Sequence, residues 1–392
     1  MNAMKKLKGL LIFLLVLPFV IVLRIIRPVI RVRFIDLNVF RIGHCIGNTE
    51  VYLAKRDALP RDKKIVDIFY YIPPVCNFQL LKMWKRVIPV TGLRFIYWIV
   101  RANRKIPGWK IHEVEFSRGE CDVQGLIDFS KQRVFFTQEE EACGQKELRS
   151  MGIRVKSPFV CFHARDNAYL AKTYPGYDWS YHDFRDGDIN NYSLAIRGLL
   201  DRGYSAVRMG SIVKEKFPGS FPGLIDYACS GMRSDFLDLY LSSKCHFFIH
   251  SECGLGAVAR LFRKPAVCVN QIPMDYMIVW DPNYLVICKK LWLKAEKRLL
   301  TFREILKSGI GRLFESGDYV KRGIEIIQNT PEEIRDVSEE MLERLAGRWK
   351  IDDEQEALQR RFWSLYETND LHGVIRARIG SKFLMQNKNL LN

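Results

Sequence analysis

Four short polar stretches in the second half of the chain each follow an apolar run: His163-Ala164-Arg165-Asp166, Arg208-Met209-Gly210-Ser211, His250-Ser251-Glu252-Cys253-Gly254 and Asn270-Gln271. Their residue types suit an anion. Arg165 and Arg208 offer fork-shaped donors to a diphosphate. Ser251 to Leu255 reads as the start of a helix, whose free backbone N–H groups and dipole favour negative charge, and Gly254 lets an anion approach closely. Each piece also has a bland reading: Arg208 as a satisfied structural arginine, Ser251 as an N-cap, His163 as a core histidine bonded to backbone. Their expected common location gives the set its meaning. A separate candidate is the turn Arg41-Ile42-Gly43-His44, because an imidazole titrates near about pH 6.5 and can take a hydroxyl proton. Asp166 and Glu50 are rival bases, and His44 as a mere organiser of its loop is the alternative.

These stretches gain from the elements around them. Pro158–His163, Tyr204–Met209, Cys245–Ile249 and Ala266–Val269 read as buried strands. Helical spacing separates them at Asn190–Asp201, Ser234–Ser242 and Gly254–Phe262. Such alternation with short connections indicates a parallel, doubly wound sheet, in which ligands bind beyond the carboxyl ends of the strands. The first half reads as strands at Arg31–Leu37 and Lys64–Tyr71, a helix from about Asn48 to Lys55, and a strand near Lys110–Phe116. Thr137…Glu140 is a capping box, and Thr330-Pro331-Glu332-Glu333 opens another capped helix. No Asp-x-Asp suits a metal–diphosphate clamp. Asp186-Gly187-Asp188 has that spelling but precedes a helix and is expected to cap it, so no metal site and no cofactor is expected.

The 392 residues hold 61 Lys+Arg against 44 Asp+Glu, a net charge of +17, with hydrophobic and charged fractions that exclude wholesale disorder. Residues 1–34 and 79–112 are acid-free and together hold +15, so the remaining 46 basic and 44 acidic residues are near balance. A charge resolved this way points away from nucleic acid. The ten cysteines form no CxxC pair, which suits a reducing compartment and no structural zinc.

Gly9–Leu23 is an unbroken apolar run flanked by Lys8 and Arg24. No small-x-small cleavage site follows it, so membrane attachment is expected, either as a tilted span or as a helix entering one leaflet. Pro18 is expected to kink it. The second basic window mixes Arg94 and Arg101 with Trp84 and Trp98, the composition of an interfacial docking surface on anionic lipid. An ordinary amphipathic helix is the alternative.

Arg185-Asp186-Gly187-Asp188-Ile189, Gly203-Tyr204…Arg208-Met209-Gly210, Arg233-Ser234-Asp235-Phe236-Leu237-Asp238-Leu239-Tyr240-Leu241 and Phe262-Arg263-Lys264-Pro265, with Gly43-His44 and His163-Ala164-Arg165-Asp166 upstream, resemble a family of bacterial glycosyltransferases. The likeness spans roughly residues 30–275, and it extends more distantly to fucosyltransferase- and heptosyltransferase-type enzymes. It implies an α/β fold of two Rossmann-like halves (GT-B type) after an N-terminal membrane-inserting helix. The implied organisation is a helix at 1–30, an acceptor half at 31–153, a donor half at 154–350 and helices at 351–392 packing back on the body. The resemblance further implies a nucleotide-sugar donor held by His163, Arg208, Gly210, Asp235, Ser251, Glu252, Gly254 and Leu255. His44, Arg165 and Asp166 are the implied catalytic residues. Many relatives carry small hydroxyl residues where Glu252 stands, and its carboxylate would repel a diphosphate. The expected activity is metal-independent sugar transfer to a lipid-linked or other glycan acceptor at the cytoplasmic face of the inner membrane. A membrane scaffold with a degenerate nucleotide pocket, and a transferase of another nucleotide-activated group to lipid, are the alternatives. The sequence leaves the oligomeric state open.

Overall fold

The computed structural model describes residues 2–60, 62–116, 121–153 and 157–392, so the domain boundary expected at 153–154 falls at the edge of the described residues. The chain divides into two compact units, one of residues 1–120 and 129–135, the other of residues 121–128 and 136–392.

In the first unit, α1 (Asn2–Ile25) is a single helix with Pro18 inside it. It leads to β1 (Arg31–Asp36), α2 (Ile42–Ala58), β2 (Ile65–Tyr70), α3 (Phe78–Lys85), β3 (Val90–Thr91) and α4 (Arg94–Asn103). The three strands form a parallel sheet in the order β1-β2-β3. The strand expected near 110–116 is instead a 3-10 turn, Trp109–His112, followed by one parallel bridge from Glu113 to Phe34. α2 starts six residues earlier than expected, at Ile42, because Cys45, Ile46, Thr49 and Leu53 recur at helical spacing and are buried.

α1 is partly built into this unit. Val16 and Val20 are buried in one apolar cluster with Val32, Phe34, Ile99 and Val100, and Phe13 and Leu23 pack against it. Arg24 fixes the far end by donating to Asn103 Oδ1 and to the carbonyls of Ile106 and Pro107. The opposite face stays bare: Leu7, Leu10, Leu11, Leu14, Leu15, Phe19, Ile21, Val22 and Ile25 are 47–70% exposed. Met4–Ile25 is long and apolar enough to cross a membrane, and only 11% of that stretch is buried.

In the second unit the strands are β4 (Phe159–His163), β5 (Ser205–Arg208), β6 (Leu224–Ile225), β7 (Phe248–Ser251), β8 (Ala266–Gln271), β9 (Tyr284–Cys288), β10 (Lys290–Leu293), β11 (Arg298–Leu299), β12 (Ile324–Ile327) and β13 (Arg378–Ile379). Seven of them form a sheet in the order β13-β9-β8-β7-β4-β5-β6. Every pairing in it is parallel. Its central strands are buried along their length because both faces are covered, as in β8, where all six residues are buried. β10, β11 and β12 make a small antiparallel sheet.

The expected capping boxes close as reciprocal bonds at Thr137/Glu140 and Thr330/Glu333, with Pro331 at the first helical position. The C-terminal residues do more than pack as helices, since β13 adds an edge strand beside β9.

The helix Gly254–Leu261 packs hard on β7. A Cβ built on Gly256 would lie 2.4 Å from the buried ring of His250. Gly256→Ala is therefore expected to lower stability by about 1–3 kcal/mol through overpacking. Denaturant unfolding checks this, and an unchanged midpoint would mean the helix does not sit so close.

Candidate functional site

The strand order sets the site. From β4 the chain runs to β5 and β6 on one side, then returns to place β7, β8 and β9 on the other. The reversal leaves a topological switch point between β4 and β7, the place where open parallel sheets bind ligands. Register brings the expected polar stretches to one rim: His163 lies beside His250, Phe162 beside Arg208, and Ser251 beside Val269.

At the switch point the Arg165 backbone N–H donates to Ser251 Oγ at 2.7 Å, joining the ends of β4 and β7. The Arg165 guanidinium is 8% exposed, pairs with Asp186, and donates to the His182 carbonyl at 3.2 Å. Gly187 N–H returns to the Arg165 carbonyl at 2.9 Å. Burial pushes the Asp186 carboxyl up to about 6, with Asp183 and Asp166 adding to the shift and Arg165 and Lys289 opposing it.

Next to this pair, Arg185 Nη2 lies 2.5 Å from Glu252 Oε2 and also donates to the Glu252 carbonyl. The carboxylate that would repel a diphosphate is thus neutralised by a neighbouring guanidinium. Arg185 Nε is buried without a hydrogen-bond partner. Lys289, just past β9, is a buried lysine whose Nζ donates to the carbonyls of Phe184 and Asp186 at 2.9 and 2.6 Å. Burial lowers its pKa to about 8. Asn270, at the end of β8, exchanges backbone-to-side-chain bonds with Asn329, while its Nδ2 is buried, unpartnered and 3.4 Å from a Cβ built on Gly187.

The helix Gly254–Leu261 begins here, and its N-cap residue Cys253 makes no side-chain capping bond. The Gly256 N–H donates to the Cys253 carbonyl at 3.3 Å, and no side-chain oxygen caps this helix N-terminus, which lies beside two arginines.

Several expected ligand residues make structural bonds in the unliganded chain. Arg208 is 2% exposed, and its Nη1 holds the following loop through the Glu215 carbonyl (2.7 Å) and Asp226 (3.2 Å). Ser251 is fully buried and spends its hydroxyl on the Arg165 N–H. Asp166 accepts from the Ala168 and Lys214 N–H groups, one with each oxygen, so it shapes its loop rather than standing ready as a base. Glu50 is 3% exposed and lies 3.6 Å from Arg133.

His163 donates from Nδ1 to the Met209 carbonyl at 2.9 Å, and burial lowers its pKa, so the ring is neutral. Gly210 adopts φ +151°, and a Cβ there would meet Val213 at 2.7 Å. Asp235 opens the helix Asp235–Lys244 and pairs with Arg233 at 3.1 Å. Leu255 is partly buried against an apolar cluster. Asp188 caps the turn Ile189–Tyr192 through the Asn190 N–H, as its position before a helical pattern suggested.

In the first unit, His44 is half-buried in the opening turn of α2, just beyond β1. Trp84 is fully buried and cannot lie among headgroups. Trp98 is half-buried against the α1/α4 cluster, whereas Arg94 and Arg101 are exposed, the latter donating to Tyr97 Oη at 3.0 Å. Among the described residues no cluster of His, Cys, Asp and Glu could hold a metal ion.

Arg185, Asp186 and Lys289 were not expected at the site. Asp186 was read only as a cap. Lys289 follows the apolar run Tyr284–Cys288, and recognising that run as a strand would have put a lysine at its carboxyl end.

No protein-family model matches the chain, and no curated protein matches it in sequence. Among solved structures it is similar, at distant sequence identity, to heptosyltransferases and a family 9 glycosyl transferase. The ADP-heptose LPS heptosyltransferase II of E. coli is 14% identical over 65% of this chain and 90% of that one, with a TM-score of 0.42. The family 9 glycosyl transferase of Veillonella parvula DSM 2008 is 12% identical over 81% and 98%, with a TM-score of 0.47. The E. coli heptosyltransferase WaaC with ADP is 11% identical over 72% and 99%, with a TM-score of 0.35.

The Arg165–Asp186 pair makes the site's charge depend on pH. Protonating Asp186 below its raised pKa removes the negative partner and leaves the guanidinium uncompensated. The affinity for sulfate, a dianion that does not itself titrate here, is expected to rise about tenfold between pH 7 and pH 5. Asp186→Asn should bind tightly at both values. Calorimetric titration measures this, and a rise of equal size in Asp186→Asn would refute the assignment.

Proposed function

We propose that the chain is a glycosyltransferase that holds the diphosphate of a nucleotide-sugar donor at the β4/β7 switch point and passes the sugar to an acceptor at a membrane surface. The observation supporting this is the convergence of Arg165, Arg185 and the N-terminus of the helix Gly254–Leu261 on one rim of a parallel sheet. Glu252 had suggested a degenerate pocket. Its pairing with Arg185 removes that motive, since a neutralised carboxylate no longer opposes a phosphate.

In this reading the acceptor hydroxyl attacks the anomeric carbon, its proton passes to a general base, and the bond to the diphosphate oxygen breaks. The leaving diphosphate departs onto Arg165 and the helix N–H groups, whose positive field is already oriented towards it. The arginines and helix dipole can carry the leaving charge without a metal.

Membrane placement is supported by α1, with its bare leucine face, and by the exposed Arg94 and Arg101. Apolar insertion and attraction to anionic headgroups act together in such a surface. The acceptor proposed is a lipid-linked saccharide at the cytoplasmic face of the inner membrane.

Calorimetric titration with UDP, GDP, CDP and ADP tests the donor site. One of the four should bind, and Arg165→Lys should weaken it about 10–100-fold, as loss of a charged hydrogen-bonding fork implies. Binding of none, or binding indifferent to the substitution, would overturn the reading. Membrane placement has its own test, since Leu11 and Leu15 lie on the bare face and can be changed without emptying the core. Leu11→Glu with Leu15→Glu should cut co-sedimentation with phosphatidylglycerol vesicles about tenfold or more. Undiminished co-sedimentation would contradict it.

A further inference from the structure

Between β4 and the turn that carries Arg185, residues 167–185 form a surface segment rich in aromatic rings that the diphosphate site does not use. It consists of the short helix Ala168–Thr173 and the 3-10 turn Ser180–Arg185. Tyr174 and Tyr177 lie 6.0 and 5.7 Å from Trp179 between ring centroids. Trp179 stacks with Tyr181 at 6.1 Å and His182 at 6.4 Å, and Tyr181 lies 3.9 Å from His182. This shelf is not a core: Tyr177 is 72% exposed and Tyr181 38%.

The shelf is held at its base. Trp179 Nε1 donates to the Tyr174 carbonyl at 3.1 Å. Ser316 Oγ donates to the Ser180 carbonyl at 2.9 Å and accepts from the Phe184 N–H at 3.1 Å. Its end meets the cation cluster, because the carbonyl of His182 accepts from Arg165 Nη1.

Charge narrows the occupant. Residues 167–185 are charge-balanced, with Asp178 and Asp183 against Lys172 and Arg185, unlike the acid-free windows of the first unit. Such a surface lacks the net positive charge that draws anionic lipid or nucleic acid. Exposed, mutually braced rings offer rigid flat area at small entropic cost, and the carboxylates of Asp178 and Asp183 add hydrogen-bond acceptors at the rim. The C–H face of a pyranose stacks on such rings while its hydroxyls donate to carboxylates.

We propose that this aromatic shelf is a saccharide-binding site in the unit that carries the switch point. Its service to a transferred sugar rests on the glycosyltransferase reading, whereas the binding of saccharide rests on the shelf alone.

The test is saturation-transfer NMR on the full chain with gluco-, galacto- and manno-configured disaccharides, beside calorimetry with the four nucleoside diphosphates. The wild type should transfer saturation to sugar ring protons. Tyr177→Ala with Tyr181→Ala should weaken saccharide binding at least about tenfold, and the paired Phe substitutions should restore it to within about twofold, since the ring face is the contact. Nucleoside diphosphate binding should be unchanged in both, which also shows that the variants are folded. Absence of saccharide binding, or binding equal in the double alanine variant, would overturn the shelf while leaving the donor site standing. Loss of vesicle binding in the alanine variant would overturn it too, by making the shelf a membrane contact. Ring-dependent saccharide binding without any nucleoside diphosphate binding would support the shelf and remove the transferase reading.

Discussion

A guanidinium buried at the end of a parallel strand is costly unless charge and hydrogen bonds answer it, and Arg165 imposes that requirement on much of the second unit. Asp186 answers the charge and the His182 carbonyl one of the N–H groups, which brings the 182–187 segment over the end of β4. That segment then needs its own support. Lys289 supplies it from beyond β9 by donating to two of its carbonyls, at the expense of burying a second cation. The Arg165 N–H meanwhile joins β4 to β7, and the turn after β7 opens the helix Gly254–Leu261. Three strand ends, one loop and one helix terminus are thereby coupled through a few polar groups in a low-dielectric setting, where each interaction is strong and each omission expensive.

The two units divide the physical tasks. The first combines acid-free basic windows with a helix whose one face is core and whose other face is bare leucine. The second is near charge balance and concentrates its cations where backbone N–H groups also converge. The proposed function, reading an anionic nucleotide near an anionic surface, fits this partition. The cations proposed to meet phosphate are buried and paired, so salt and lipid headgroups screen or capture them less than they would exposed lysines.

Much of this organisation is legible in the sequence. The strands at 159–163, 205–208, 248–251 and 266–271 follow from apolar runs with turn signals, and the parallel arrangement from their alternation with helices. The rule for parallel sheets then locates the rim before any coordinate is seen. What the sequence could not resolve is which arginine faces which partner. Arg165 and Arg208 end neighbouring strands, yet Asp226 and the Glu215 carbonyl bury one while the other stays at the switch point, a choice made by residues 7 and 18 positions downstream. Asp166 looked like a base because a carboxylate in a turn carries no mark of the N–H groups it will accept. Trp84 looked like an interfacial aromatic because composition does not say which face of a short helix turns inward. Pro18 lies inside α1 without ending it, and within the first unit the helix is supported by the packing of Val16 and Val20 on either side of it.

The central claim is that the β4/β7 switch point binds a diphosphate. The most direct measurement is a crystal structure of the chain with whichever of the four nucleoside diphosphates binds it. The expected result is diphosphate oxygens within hydrogen-bonding distance of the Arg165 guanidinium and of the leading N–H groups of the helix Gly254–Leu261. A nucleotide bound elsewhere, with Arg165 turned wholly to Asp186 and no phosphate at that helix terminus, would contradict it.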